Sequence, residues 1–344
     1  MRLLAWAQPP PVQHVNVAER IPESPVANDL DFGSLECFAS TAKGAAVSTV
    51  DTGGRPVESP GQSPLPGDTD RVRAVVRGLG ELLITAGLVV LLFVVYEVYV
   101  TDLLSAGKQR EATAALDTAW NAPPDPQQPE QPEQPEQQRV EHFDGLAEGR
   151  GFAKMYVPAL GADYAFTILE GTTERTLEIG PGHYLSTAYP GQPGNFSVAG
   201  HRVGKGAPFN DIDLLNSCDA IVVETRYSWF VYRVLPKKEE VGTWSTGKAV
   251  DPRCNGVSPL GAPYNNVVGQ EIVSPRNSGP IAPIPGMPGA ETSVGEQVTL
   301  MTLTTCHPQF SDRERLIVHA VMVKQWAKDP AHADVRPPEL KETA

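Results

Sequence analysis

The chain has 344 residues and a formal net charge of -13, and that acidity gives no support for a nucleic-acid partner. Its 33 prolines cluster, so much of the length reads as spacer rather than a second core. No GxxxxGKS/T, no GxGxxG after a strand and no paired CxxC occurs, which removes the signatures of a phosphate cradle and of a zinc ribbon.

Residues 1–70 are poor in large apolar side chains and rich in Pro, Gly, Ser and Thr. They read as a disordered cytoplasmic segment, because they bury too little surface to offset chain entropy. The stretch RVRAVVRGLGELLITAGLVVLLFVVYEVYV follows, uncharged from Leu82 to Tyr96 and interrupted only by Glu97 before Val100. About 19 such residues at ~1.5 Å each span roughly 28 Å, close to the ~30 Å hydrocarbon core of a bilayer. Arg71, Arg73 and Arg77 precede the run, and Tyr96 and Tyr99 sit at its far end, where interfacial aromatics belong. Residues 79–100 are therefore expected to form one uncleaved, single-pass membrane anchor, with the N-terminus cytoplasmic and the remainder outside.

Residues 101–150 read as an extracellular linker. An alanine-rich piece passes into NAPPDPQQPEQPEQPEQQ, which predicts polyproline II; about 28 residues at ~3.1 Å would reach on the order of 90 Å. The expectation is a stalk.

From 151 to 326 the texture changes to short apolar runs between Gly/Pro/Asn turns: FAKMYVPAL, YAFTILEG, FSVAGH, AIVVETRYSWFVYRVLP, QVTLMTLTTC and RLIVHAVMVKQW. Strands of this length and spacing predict a mainly all-β barrel or sandwich. APFNDIDLLNS is expected to hold a short helix, and 327–344 a polar tail.

Four cysteines are present: Cys37, Cys218, Cys254 and Cys306. The last three follow the expected anchor, in a compartment where disulfides persist. Cys218 and Cys254 share turn-like, polar surroundings and are the more natural pair, which leaves Cys306 outside it. Cys306 ends one apolar run, and polar His307, Gln309, Ser311 and Asp312 follow. A thiol in that setting is a candidate nucleophile, active as its thiolate beside an imidazole.

Among the histidines, His319 sits inside an apolar strand run, and His307 faces away from its neighbour Cys306 on a strand. His183 lies in a turn, IGPGHY, as a groove candidate. His201 begins a Gly-rich loop after FSVAG, where a side chain projects over a cleft. Arg315 opens the next strand, so a hairpin would set it beside Cys306, where it could donate to an oxyanion or a substrate backbone. Arg313 is equally placed by spacing. Cys306 with His307 and His319 matches no common zinc-ligand spacing, and neither metal nor cofactor is expected.

TLTTC with a downstream arginine in RERLIV resembles the signature of sortases, and FSVAGHR before GAPFNDIDLL resembles their histidine segment. IGPGHYLSTAYPGQPGNFSVAGHR and VVETRYSWFVYRVL are similar to class E sortases of actinobacteria. The resemblance covers about Phe152 to Trp326. It implies an eight-stranded β-barrel with short helices, with Cys306 as nucleophile, His201 as general acid/base and Arg315 as substrate and oxyanion stabiliser. It also implies cleavage of an LAXTG- or LPXTG-like sorting signal between Thr and Gly through a thioacyl intermediate. The implied partners are surface proteins bearing that signal and an amine of a peptidoglycan precursor. Thr305, His183 and Tyr156 are assigned to substrate contact. The hydrophilic tail and the absence of an obvious lid before Phe152 favour housekeeping attachment over polymerisation, and 242–295 is expected to shape specificity. The competing readings are a degenerate sortase-like module that binds peptide or wall polymer, and an L,D-transpeptidase, whose SHGC-type motif is absent.

Overall fold

The structure is a computed structural model, and it describes residues 68–96, 100–122, 143, 145–290, 293–329 and 335–343. The expectation for 1–70 lies outside the described residues except at its last three positions, and so does most of the PEQ-rich segment.

Two helices come first. α1 (Asp68–Val95) contains a 25-residue stretch, Arg71–Val95, within which an 18-residue window has mean hydropathy 2.4 and is not buried. It is long and apolar enough to cross a membrane. α2 (Thr101–Asn121) follows six positions later, within the segment expected to be linker.

Nine strands then form one sheet: β1 (Gly151–Tyr156), β2 (Ala165–Glu170), β3 (Gly182–His183), β4 (Gly194–Ala199), β5 (Ala220–Glu224), β6 (Ser228–Val234), β7 (Gln270–Val273), β8 (Thr299–His307) and β9 (Glu314–Ala327). Their order is β6-β5-β1-β2-β3-β4-β8-β9-β7, and a further pairing of β6 with β9 closes the sheet. The closed part is an eight-stranded barrel, as the sortase resemblance implies. β9 makes closure possible because it is long: one edge pairs with β8, while the other is shared by β7 at Arg315–Val318 and β6 at Ala320–Ala327.

Strand alternation fills the interior. Met155, Ile168, Phe196, Val198, Phe230, Tyr232, Met301, Leu303, Leu316 and Val318 form one buried cluster, drawn from alternate positions on each strand as a pleated sheet requires. The run APFNDIDLLNS yields only a 3-10 turn, Ile212–Leu214, whose Ile212 belongs to the same buried cluster as Phe209. Cys218 and Cys254 are bonded, with Cα atoms 4.9 Å apart and a separation of 36 positions in sequence. Together with Trp244, Val257, Tyr264 and Ile284 they make a second cluster under the loops before and after β7.

The first part of the expected linker is a docked helix instead. α2 lies against β1 and β2, and its Gln109 side chain pairs with the Thr167 peptide at both ends, Nε2 to the carbonyl and N–H to Oε1, each 2.9 Å. Thr113 meets the Thr167 hydroxyl at 2.7 Å, and Asp117 pairs with Lys154 at 2.5 Å. At the far end of the helix the Ala122 carbonyl accepts from Arg226 at 2.9 Å. Phe143, where the described chain resumes, stacks on Tyr189 at 4.6 Å and joins the barrel core. Residues 101–122 of the expected linker are therefore a helix docked on the barrel, while the PEQ-rich run lies outside the described residues.

The tail is polar in composition but not idle. Glu342 takes a two-pronged bond from Arg233, 2.8 Å on each prong, and Arg336 lies over the Tyr156 and Trp229 rings.

Candidate active site

Three neighbouring strands deliver the site. β8 and β9 are antiparallel with Cys306 directly opposite Arg315, so the two apolar runs that bracket TTCHPQFSDRER form a hairpin and bring thiol and guanidinium together. β4 runs parallel to β8 in a register that ends at Ala199 opposite Thr304. Beyond it, the Gly200 N–H donates to the Thr304 carbonyl at 3.1 Å and the Thr305 hydroxyl donates to the Gly200 carbonyl at 2.8 Å. His201 thus emerges level with Cys306, one strand spacing of ~4.8 Å away along the hydrogen-bonding direction.

Parity decides the face. Met301 and Leu303 on β8, Leu316 and Val318 on β9, and Phe196 and Val198 on β4 point into the core. The alternate positions, which include Thr304 and Cys306, Arg315 and Ile317, and Ala199 and then His201, belong to the outer face. Loops cover that face. Tyr184 bonds the Thr304 hydroxyl at 2.9 Å, and Asn195 on β4 donates to the carbonyls of Pro280 and Ala282. Glycine is required at position 200, because a Cβ there would come within 2.6 Å of the Phe209 ring.

Cys306, His201 and Arg315 are 2–4 % exposed. Burial pulls the His201 pKa from 6.5 down to about 4, opposed by the negative charge of Glu178, and the ring Nε2 has no hydrogen-bond partner among the described residues. At neutral pH the ring is therefore uncharged. Burial also lowers the Arg315 pKa, but a guanidinium starts so high that it stays charged. Its Nη1 donates to the carbonyls of Asp312 and Glu314 at 3.0 and 3.2 Å, which fixes the group beside the hairpin turn. Arg313, its equal by spacing, is exposed in that turn.

The three remaining candidates are placed differently. Thr305 is fully buried and its hydroxyl is engaged by Gly200, so it ties β8 to the histidine loop rather than facing a substrate. His183 has no exposed surface. Its Nδ1 meets Glu170 at 3.1 Å and its Nε2 meets Thr187 and the Ala188 carbonyl at 3.0 and 3.1 Å. It braces β2, β3 and the next turn from inside and lines no groove. Tyr156 donates to Glu224 at 2.6 Å and packs on Trp229, in the cluster that the tail covers and not beside Cys306. These two substrate assignments are corrected.

One residue the sequence did not single out is Arg202. It is 6 % exposed, and its Nη1 donates to His307 Nδ1 at 2.9 Å and to the Cys306 carbonyl at 3.4 Å, while Nη2 pairs with Asp213 at 2.9 Å. The residue after the histidine thus grips the strand end that bears the thiol. It also accounts for His307, which is held by Arg202 away from the outer face. Among the described residues no cluster of three or more His, Cys, Asp or Glu side chains forms a metal site.

A family model described as the sortase domain matches residues 155–323. The chain is 31% identical over 315 residues to sortase SrtE2 of Streptomyces coelicolor, covering 88% of this chain and 99% of that protein. It is 30% identical over 266 residues to sortase SrtE1 of the same organism, covering 75% of this chain but only 60% of the relative's length. Among solved structures, the SrtF sortase from Corynebacterium diphtheriae is 43% identical, with a TM-score of 0.49, over 60% of this chain and all of that one. The chain belongs to the sortase family, a family of cysteine transpeptidases, and within it the curated relatives are of the E class.

Proposed function

We propose that this chain is a membrane-anchored sortase that cleaves a sorting signal of the LAXTG or LPXTG kind between Thr and Gly and passes the acyl fragment to an amine of a cell-wall precursor. The reduced Cys306 thiol gives its proton to His201, and the sulfur attacks the Thr carbonyl. The tetrahedral oxyanion sits against Arg315. As the C–N bond breaks, His201 returns the proton to the departing Gly amine, leaving a thioester on Cys306. An incoming amine, deprotonated by His201, attacks that carbonyl, and as the C–S bond breaks His201 returns the proton to the sulfur, restoring the thiol. Two modest barriers replace one high one, and the covered outer face favours the amine over water. The observation that carries this reading is the register: Cys306 opposite Arg315 on one hairpin, with His201 leaving the adjacent strand level with both. The anchor is α1, with the barrel on the outer side.

The test is incubation of the reduced full-length protein in detergent with an LAXTG peptide, or an LPXTG peptide in parallel, plus an amine acceptor. Amine-transferred product, lost in Cys306→Ala, is expected. Release by water alone, or no cleavage of either peptide, would contradict the transpeptidase, the latter in favour of a module that only binds.

A further inference from the structure

The helix that joins the apolar span to the barrel does more than connect them. Its first turn is bonded to the loop that carries His201: Asp102 Oδ1 accepts the Gly206 N–H at 2.9 Å, and Thr101 Oγ1 accepts the Lys205 N–H at 3.4 Å. Both loop residues have positive φ, +52° at Lys205 and +77° at Gly206, a turn that exposes successive N–H groups for capture. Lys205 also pairs with Glu174, and Lys108 on α2 pairs with Glu178 at 2.9 Å, so helix, loop and the turn after β2 are cross-tied. Further along, Gln109, Thr113 and Asp117 hold α2 to β1 and β2 as described.

We infer that α2 is a rigid coupling that holds the mouth of the active site against the surface of the bilayer in which α1 is embedded. The partner is the lipid interface itself. From Val95 to Thr101 there are six residue steps, which even when extended span about 20 Å. The loop four to six positions beyond His201 is bonded to the end of that tether, so it stays within that reach of the membrane. Leu103 and Leu104, 70% and 57% exposed on the first turn of α2, are apolar side chains placed where the interface would be. The inference rests on α1 being the membrane span. It replaces an enzyme on a stalk, working on the order of 90 Å out, with one that receives its peptide at the membrane.

The experiment uses full-length protein in phosphatidylcholine/phosphatidylglycerol vesicles. An azide-bearing residue in place of Ala207 carries a donor dye, and a headgroup-labelled lipid carries the acceptor. Flotation with the vesicles is measured first, then energy transfer in the parent protein and in the double variant Asp102→Ala, Gln109→Ala. Flotation with strong transfer, weakened several-fold in the variant, is expected, since release of α2 frees the barrel to drift outward on its helix and the PEQ-rich segment. Flotation with weak transfer in the parent, or strong transfer unchanged in the variant, would overturn the coupling while leaving the anchor intact. Failure to float would overturn the anchor and the coupling together.

Discussion

His201 makes a quantitative statement about stability. Burial holds its pKa near 4 in the folded chain, whereas the unfolded chain keeps the ordinary value of about 6.5. Between those values the unfolded state binds a proton that the folded state refuses. Stability is therefore whole above pH 6.5 and falls as pH drops towards 4. At ~1.36 kcal/mol per pH unit the loss attributable to this ring is about 2 kcal/mol by pH 5 and about 3 by pH 4. Urea unfolding in detergent at pH 7.5 and pH 5, for the parent and for His201→Gln, isolates it: the parent should lose about 2 kcal/mol more than the variant. Equal losses, or an imidazole NMR titration centred near 6.5, would refute the claim that the ring is neutral because it is buried.

Three further outcomes are expected. Arg202→Gln breaks the grip on His307, Cys306 and Asp213, and should lower kcat by tenfold or more with little change in KM; Arg202→Lys should restore part of it, and a change confined to KM would argue for substrate contact instead. Replacing Cys218 and Cys254 together by serine should cost about 3–4 kcal/mol in chemical denaturation, from the entropy of a loop of this length, and a loss under ~1 kcal/mol would mean that the loop is ordered without the bond. Gly200→Ala drives a methyl into the Phe209 ring and should destabilise the fold by about 1–3 kcal/mol while lowering activity more than a core substitution of equal cost; unchanged melting would show that the loop gives way freely.

The Cys306–Arg315 hairpin was legible because its signal is local: two apolar runs, a polar turn, and a cysteine and an arginine at the two strand ends. The longer strands were legible for the same reason, but they left barrel and sandwich both open, and the eight-stranded barrel was what the sortase resemblance implied. What escaped is what depends on distant partners. α2 buries only Ser105 and Leu116 and docks through Gln109, Thr113 and Asp117, so it lacks the apolar stripe that announces a packed helix. β3 has two residues and β7 four, half-exposed ones, too short for any alternation to show. His183 looked like a groove residue in its turn, but Glu170, thirteen positions earlier, draws it inside. Arg202 offered no signal except adjacency to His201, because the strand end it grips lies more than a hundred residues away.

The central claim is that Cys306 forms the acyl bond. The most direct measurement incubates the reduced full-length protein with an LAXTG peptide and no amine, quenches in acid, and maps the adduct by fragment mass. A mass increase equal to the peptide through its threonine, placed on Cys306 and absent in Cys306→Ala, is the predicted result. An adduct on another residue, or peptide turnover that survives Cys306→Ala, would contradict it.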